Sequence, residues 1–174
     1  MYAITEAFVS IRDFMEQGGD VLWGIALLVL FMWTMIFERI FYYAQGYDVY
    51  IADIVKRWES RKDKTSWYAL QIREKYMSQA KVEINRNLSL IQTCVAVAPL
   101  FGLLGTVTGM IEVFQDMAFN GGGDARSMAG GVSKATLPTM AGMVVALSGV
   151  FATIYLNSAS QKREHMLNDI IKRY

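Results

Sequence analysis

Asn87 to Ile111 is a run of 25 residues without a charge, closed by Arg86 and Glu112. As a helix it exceeds the roughly 20 residues needed to cross a bilayer. Two more runs accompany it: Val21 to Phe37, 17 residues, at the short end of spanning length, and Ala135 to Gln161, 27 residues. Inside lipid every backbone N–H and C=O must be satisfied within the protein, which leaves helices and closed barrels as spanning structures. Apolar runs of this length select helices. Hydrophobic residues are 53% and charged residues 19% of the 174, a balance that fits an integral membrane protein rather than a soluble core.

In chain order, residues 1–19 read as an amphipathic helix. Ile4, Ala7, Phe8, Ile11, Phe14 and Met15 recur at helical spacing, opposite Glu6, Arg12, Asp13 and Glu16. It lacks the basic start of a signal peptide. It reads either as a helix lying flat on the membrane, ended by Gly18-Gly19, or as one packed on protein. The first span covers 20–43. Glu38 and Arg39 are placed to snorkel at its end, and Trp23, Trp33, Tyr42 and Tyr43 suit the interfacial belts. Residues 44–86 are polar and helical. One stripe is marked by Ile51, Ile54, Val55 and Trp58, another by Trp67, Leu70, Tyr76 and Met77. A turn lies between them at Ser60 to Ser66, with Asp63, Thr65 or Ser66 as N-cap. No Gly or Pro separates the second stripe from the next span, so one uninterrupted helix is expected there. The second span is 87–113, a link with a flexible turn at Asn120 to Asp124 fills 114–133, the third span is 134–161, and a charged helical tail is 162–174.

Lys plus Arg number ten in 38–86 and four in 160–174, against one in the first 20 residues and two in 112–134. The positive-inside rule places the first two segments in the cytoplasm and the others outside. The predicted fold is thus all-α integral membrane, with three transmembrane helices, the second and third extended into the cytoplasm, and an N-terminal amphipathic helix.

The chemistry-bearing motifs of enzymes are missing. There is no HExxH, CxxC, P-loop or GxSxG, and Gly121 to Asp124 lacks the Lys-Ser/Thr of a phosphate cradle. Cys94 reads as a small buried hydrophobe and His165 as a solvated side chain. No metal, no cofactor and no nucleic-acid role is expected.

Gly102, Gly105 and Gly109 share one face of the second span, extended by Glu112. On the third span a stripe of small and polar residues follows steps of three and four: Ala135, Thr139, Gly142, Ala146, Gly149, Thr153, Asn157 and Ser160. Small residues let helices approach closely in lipid, so Gly102, Gly105, Gly109, Ala146 and Gly149 read as helix packing. Thr106 and Thr108 read as bonding back to the preceding turn of their own helix, or else Thr106 and Thr139 help line a polar cavity. Thr106, Thr139, Gly142, Thr153 and Glu112 are the candidates for a pore or proton pathway. The spans are expected to be mobile at Pro99 and Pro138. No carboxylate lies mid-span, whereas a proton path usually needs an intramembrane acid or base. If protons move here, a partner contributes the titrating group.

Ala98 to Phe114 (APLFGLLGTVTGMIEVF) and Gly130 to Asn157 (GGVSKATLPTMAGMVVALSGVFATIYLN) resemble the paired transmembrane signature of the ExbB/TolQ/MotA family. Three spans and the short length resemble its ExbB branch more than MotA, with TolQ harder to separate. The resemblance implies a homo-pentamer in the bacterial inner membrane, surrounding the single transmembrane helices of two ExbD-like subunits. It implies use of the proton gradient to energise a TonB-like protein for outer-membrane transport. The protonatable Asp belongs to the ExbD-like subunit, and Thr106 and Thr139 match pore-facing threonines near it. Many relatives carry Glu where this chain has Lys134. Here Lys134 reads as a snorkelling anchor, or Glu112 takes over part of that glutamate's electrostatic role.

Overall fold

The computed structural model describes residues 2–61, 66–120 and 125–173. The described elements are helical: α1 (Tyr2–Phe41), a π-helical turn (Tyr42–Gly46), α2 (Tyr47–Glu59), α3 (Trp67–Asn85), α4 (Leu88–Asn120) and α5 (Ala125–Arg173). Three helical stretches are long and apolar enough to cross a membrane. Their large apolar side chains, Leu27, Leu30, Leu103, Val107, Leu147 and Phe151 among them, stay exposed. Exposed apolar surface on this scale belongs in lipid or against other subunits, not in water. The fold is that of an all-α membrane protein. The residues form two compact units, one of Met1–Trp33 with Thr93–Val150, the other of Thr34–Gln92 with Phe151–Tyr174.

In the first unit, α1 bends at Gly19, whose φ of 68° is open to glycine and strained for other residues. Before the bend Ile11 and Phe14 remain exposed, and Arg12 pairs with Glu16 at 2.8 Å. Met15, on the same face, is half-buried. The side chains of Ile4, Ala7 and Phe8 lie outside the described residues. After the bend, α1 packs on α4 and α5: Gly24 faces Phe101, and Met32 reaches Gly149. Pro99 and Pro138 both sit inside continuous helices. Pro138 is buried with its ring against Gly105, so it acts as a wedge filling the space a missing side chain leaves.

In the second unit, Tyr47, Ile51 and Ile54 of α2 pack with Ala80 and Ile84 of α3 and Leu167 of α5. Trp58 is buried and Val55 half-buried, as their stripe predicts. The stripe predicted for α3 fares differently. Trp67 and Leu70 are exposed, Tyr76 and Met77 are half-buried against the cluster just described, and the helix fully buries Ala69, Ala80 and Ile84. Small alanines let α3 lie close to its neighbours, which the search for large apolar residues overlooks. Ser66 caps α3 by accepting from the Tyr68 N–H at 3.4 Å. Asp63 and Thr65 lie outside the described residues.

The uninterrupted helix from α3 into the second span is not found. The chain breaks at Arg86, which is extended, and at Asn87, which has φ 63°. Asn is the non-glycine residue most at ease in that left-handed region. Helix resumes at once, with the Ile91 N–H donating to the Asn87 carbonyl at 3.0 Å. The link between the last two spans is helical up to Asn120 and again from Ala125; residues 121–124 of its expected turn lie outside the described residues.

Candidate functional site

The glycines of α4 meet the small stripe of α5 within one subunit. A methyl group built at Gly102 would lie 2.9 Å from the Pro138 carbonyl oxygen and 2.9 Å from the Thr139 Cα. One at Gly109 would lie 2.7 Å from the Ala135 Cβ, and one at Gly142 2.6 Å from the Ala98 carbonyl oxygen. Gly149 is held between Val95 and Met32, and Ala146 is half-buried. Gly142, proposed from sequence for a pore, therefore sits in this packing seam beside Gly102. Thr153, from the same set, is half-buried in the second unit.

The seam carries a short chain of hydroxyls. Thr139 Oγ1 donates to the Gly102 carbonyl at 2.9 Å, and Thr139 Oγ1 is also bonded to Thr106 Oγ1. A hydroxyl has one proton to give. With that of Thr139 on Gly102, the shared bond is donated by Thr106. The direction runs from Thr106 to Thr139 to the carbonyl, and Thr106 is left with acceptor capacity. Both threonines are half-buried. Thr108, two residues on, behaves otherwise: it bonds back to Leu104 O at 3.0 Å and Gly105 O at 3.2 Å. Only Thr106 reaches across to the facing helix.

Toward the Glu112 end of the same seam, Lys134 Nζ lies 3.6 Å from Glu112 Oε2, with the side chains 49% and 64% exposed. Lys134 thus has a carboxylate partner rather than acting as a lone anchor. At that exposure the pair contributes at most about 1 kcal/mol. A cavity of about 240 Å³ adjoins it, lined by Asp20, Val21, Thr108, Glu112, Lys134 and Ala135 together with glycines of α1 and α4.

The second unit contains a polar cluster that the sequence does not announce. Arg39 is 1% exposed, where a snorkelling side chain was expected. Its Nε lies 3.3 Å from Glu38 Oε2, Nη1 donates to the Glu83 carbonyl at 3.3 Å, and the guanidinium lies 5.1 Å from the Tyr42 ring centre. Tyr43 is buried rather than at a lipid interface, and its hydroxyl donates to the Ile84 carbonyl at 2.8 Å. Both acceptors belong to the end of α3; the Glu83 carbonyl also accepts from the Arg86 N–H at 3.4 Å. Arg163 donates from Nη2 to the Tyr43 carbonyl at 2.8 Å and lies over the Tyr43 and Tyr47 rings. Asn85 bonds Glu164 and accepts from Ser160 at 2.8 Å. The only sequence hint was the Asn-Arg-Asn at 85–87, whose asparagines tolerate a left-handed turn. Beyond this cluster burial pushes the Tyr50 hydroxyl pKa up, with the Glu83 charge adding to it. Among the described residues no group of His, Cys, Asp and Glu is placed to hold a metal ion.

The chain matches the profile of the MotA/TolQ/ExbB proton channel family over residues 45–169. It is 45% identical over 67 residues to an ExbB-like biopolymer transport protein of Synechocystis, covering 37% of this chain and 26% of that one. It is 37% identical over 71 residues to the biopolymer transport protein ExbB of Helicobacter pylori (41% and 49% covered). With biopolymer transport protein exbB1 of Vibrio cholerae the identity is 31% over 98 residues (53% and 43% covered). The matched stretches thus span from about a quarter to half of these relatives' lengths. The family profile covers most of the chain and takes in the whole α4–α5 seam with its hydroxyl pair, so this chain belongs to the MotA/TolQ/ExbB proton channel family.

Proposed function

We propose that the chain is the ExbB-like subunit of a proton-driven motor. Five copies surround the membrane helices of two ExbD-like subunits, and the proton-motive force passing between them energises a TonB-like protein for outer-membrane transport. The protein sits in the bacterial inner membrane with its N-terminus in the periplasm and its C-terminus in the cytoplasm. The uneven distribution of Lys and Arg supports that orientation.

The Thr106–Thr139 pair is the observation that carries this reading. Neither span offers a titrating group at mid-depth, so the ionising carboxyl arrives on the partner helix. When that carboxyl is protonated it is a donor, and Thr106, whose own proton is committed to Thr139, accepts from it. When it is ionised it needs donors. The Thr106 hydroxyl then rotates away from Thr139 toward the carboxylate, and Thr139 keeps its bond to Gly102. The pair thus offers a partner to both protonation states, which a lone back-bonded threonine does not.

Thr106→Val combined with Thr139→Val keeps the side-chain shape and removes the relay. Energised uptake is expected to fall at least tenfold while the complex still assembles. Uptake at the wild-type rate in that double variant would contradict the reading. Deleting the gene separates the ExbB-like role from a TolQ-like role in envelope constriction: the first predicts lost siderophore uptake, the second detergent sensitivity. A passive scaffold predicts neither, and no dependence on membrane potential.

A further inference from the structure

A cavity of about 250 Å³ lies between the end of α1 with its π-helical turn and the later turns of α5, lined by Ile40, Tyr43, Ala44, Tyr155, Ala159 and Arg163. All of these residues belong to the second unit. Arg163 is the one charged side chain on the wall, and its charge is not balanced. Nearby Arg39 has Glu38 at 3.3 Å, and Glu164 is taken by Lys81 at 3.6 Å and by Asn85. Arg163 has no carboxylate within salt-bridge distance among the described residues. A guanidinium has five N–H groups. Nη1 gives one to the Ala159 carbonyl at 3.2 Å and Nη2 one to the Tyr43 carbonyl at 2.8 Å. Each Nη keeps a second N–H, and Nε is buried without a partner. Carbonyls and tyrosine rings thus fix the guanidinium in place without neutralising it. A half-buried cation without a counter-charge is costly, and an anion in the cavity relieves that cost.

The position of the cavity along the helices narrows the choice of anion. The charge-free run of α5 ends at Gln161, two residues before Arg163, and that of α1 ends at Phe37, three before Ile40. Both helices therefore leave the hydrocarbon at this level, where lipid headgroups lie. Phe151, Tyr155, Ala159 and Arg163 recur every fourth residue of α5, so they form one slanting strip. Phe37, Ile40 and Ala44 share a face of the facing segment in the same way. Phe37, Ile40, Phe151 and Tyr155 are exposed. At 1.5 Å per residue the strip from Phe151 to Arg163 runs about 18 Å, close to the roughly 15 Å of hydrocarbon in one leaflet. One strip thus offers an apolar wall a leaflet deep and an unpaired cation at its end.

We propose that this cavity seats the headgroup of an anionic phospholipid. The phosphodiester accepts from the spare Nη N–H groups of Arg163, as charge-assisted bonds favour, and an acyl chain lies along the strip from Ala159 to Phe151. The lipid supplies the counter-charge that the chain lacks and so strengthens the tie that Arg163 makes between α5 and the turn at Tyr43. That the leaflet is the cytoplasmic one rests on the orientation given above. The lipid site itself does not, and proton flux plays no part in it.

The test uses the full-length protein in its native complex, purified in a neutral detergent. Dioleoyl phosphatidylglycerol and dioleoyl phosphatidylcholine are titrated separately, so that the chains are the same and only the headgroup differs, and native mass spectrometry reads the lipid retained. Phosphatidylglycerol is expected to bind roughly fivefold tighter, the effect of about one basic residue at an anionic headgroup, and to raise the unfolding temperature. Arg163→Gln should remove that preference. Because Arg163 also holds the Tyr43 carbonyl, a second variant leaves it alone. Ala44→Leu fills the cavity from an exposed position, and should weaken phosphatidylglycerol binding by a similar factor while assembly and lipid-free unfolding stay as in the wild type. Equal retention of the two lipids by the wild type, or a preference untouched by Ala44→Leu, would overturn the site. Displacement of the lipid by millimolar inorganic phosphate would assign the cavity to a free anion and overturn the lipid. Loss of assembly in Ala44→Leu with lipid retention unchanged would show that a neighbouring copy covers the cavity, which overturns it too.

Discussion

Gly102 and Gly130 lie on different helices and see opposite surroundings. A methyl group at Gly102 would press on backbone atoms of α5, the Pro138 oxygen and the Thr139 Cα. Backbone cannot swing aside as a side-chain tip can. Gly102→Ala is therefore expected to cost about 1–3 kcal/mol, as overpacking does, and to move Thr139 off its bond to the Gly102 carbonyl. Gly130, in α5, has nothing within 4 Å of such a methyl group. There alanine is expected to be neutral or to stabilise by up to about 1 kcal/mol through helix propensity. Thermal unfolding of the two variants in one detergent checks the pair, and equal shifts for both would contradict the seam. The spacing of the glycines made their shared face readable in the sequence, because a helical period puts steps of three and four together. Which threonine reaches across was not readable. Thr106 and Thr108 are neighbours with the same side chain, yet Thr108 bonds its own helix and Thr106 bonds Thr139. Only the axial register of two helices separates the roles.

At the scale of elements, the break between α3 and α4 is held by side chains from elsewhere. Arg39 and Tyr43 donate to the last carbonyls of α3, and Arg163 donates to a carbonyl of the π-helical turn. Each irregular backbone turn thus receives side-chain hydrogen bonds from another element. Asn87→Gly is expected to leave stability unchanged or slightly raised, since glycine enters the left-handed region freely. Asn87→Ala is expected to cost about 1–2 kcal/mol, with faster amide exchange at Ile84 and Asn85. Equal exchange in both variants would show that the left-handed turn is not a constraint. The sequence announced the helices themselves because lipid forces apolar runs to satisfy their backbones internally. It did not announce the buried arginine. Arg39 finds the Glu83 carbonyl 44 residues away, and pattern reasoning within one segment cannot see an acceptor on another. For the same reason the start of the α3 stripe was misjudged: Trp67 and Leu70 are exposed, whereas Tyr76 and Met77 pack on the core as expected, beside the buried alanines.

At the scale of the whole molecule, the apolar surface left bare on α1, α4 and α5 belongs in lipid or against further subunits. The half-buried hydroxyl pair has acceptor capacity left at Thr106, which the proposed function gives to a proton-exchanging occupant. Both features fit copies of the chain enclosing a guest helix that bears a carboxyl group. A structure of the assembly purified together with its one-span partner tests this most directly, with the subunits counted by native mass spectrometry. The account predicts five copies around a central helix pair, with a partner carboxylate within hydrogen-bonding distance of Thr106 Oγ1 in at least one subunit. Thr106 and Thr139 turned toward acyl chains, with no carboxylate near them in any subunit, would contradict it.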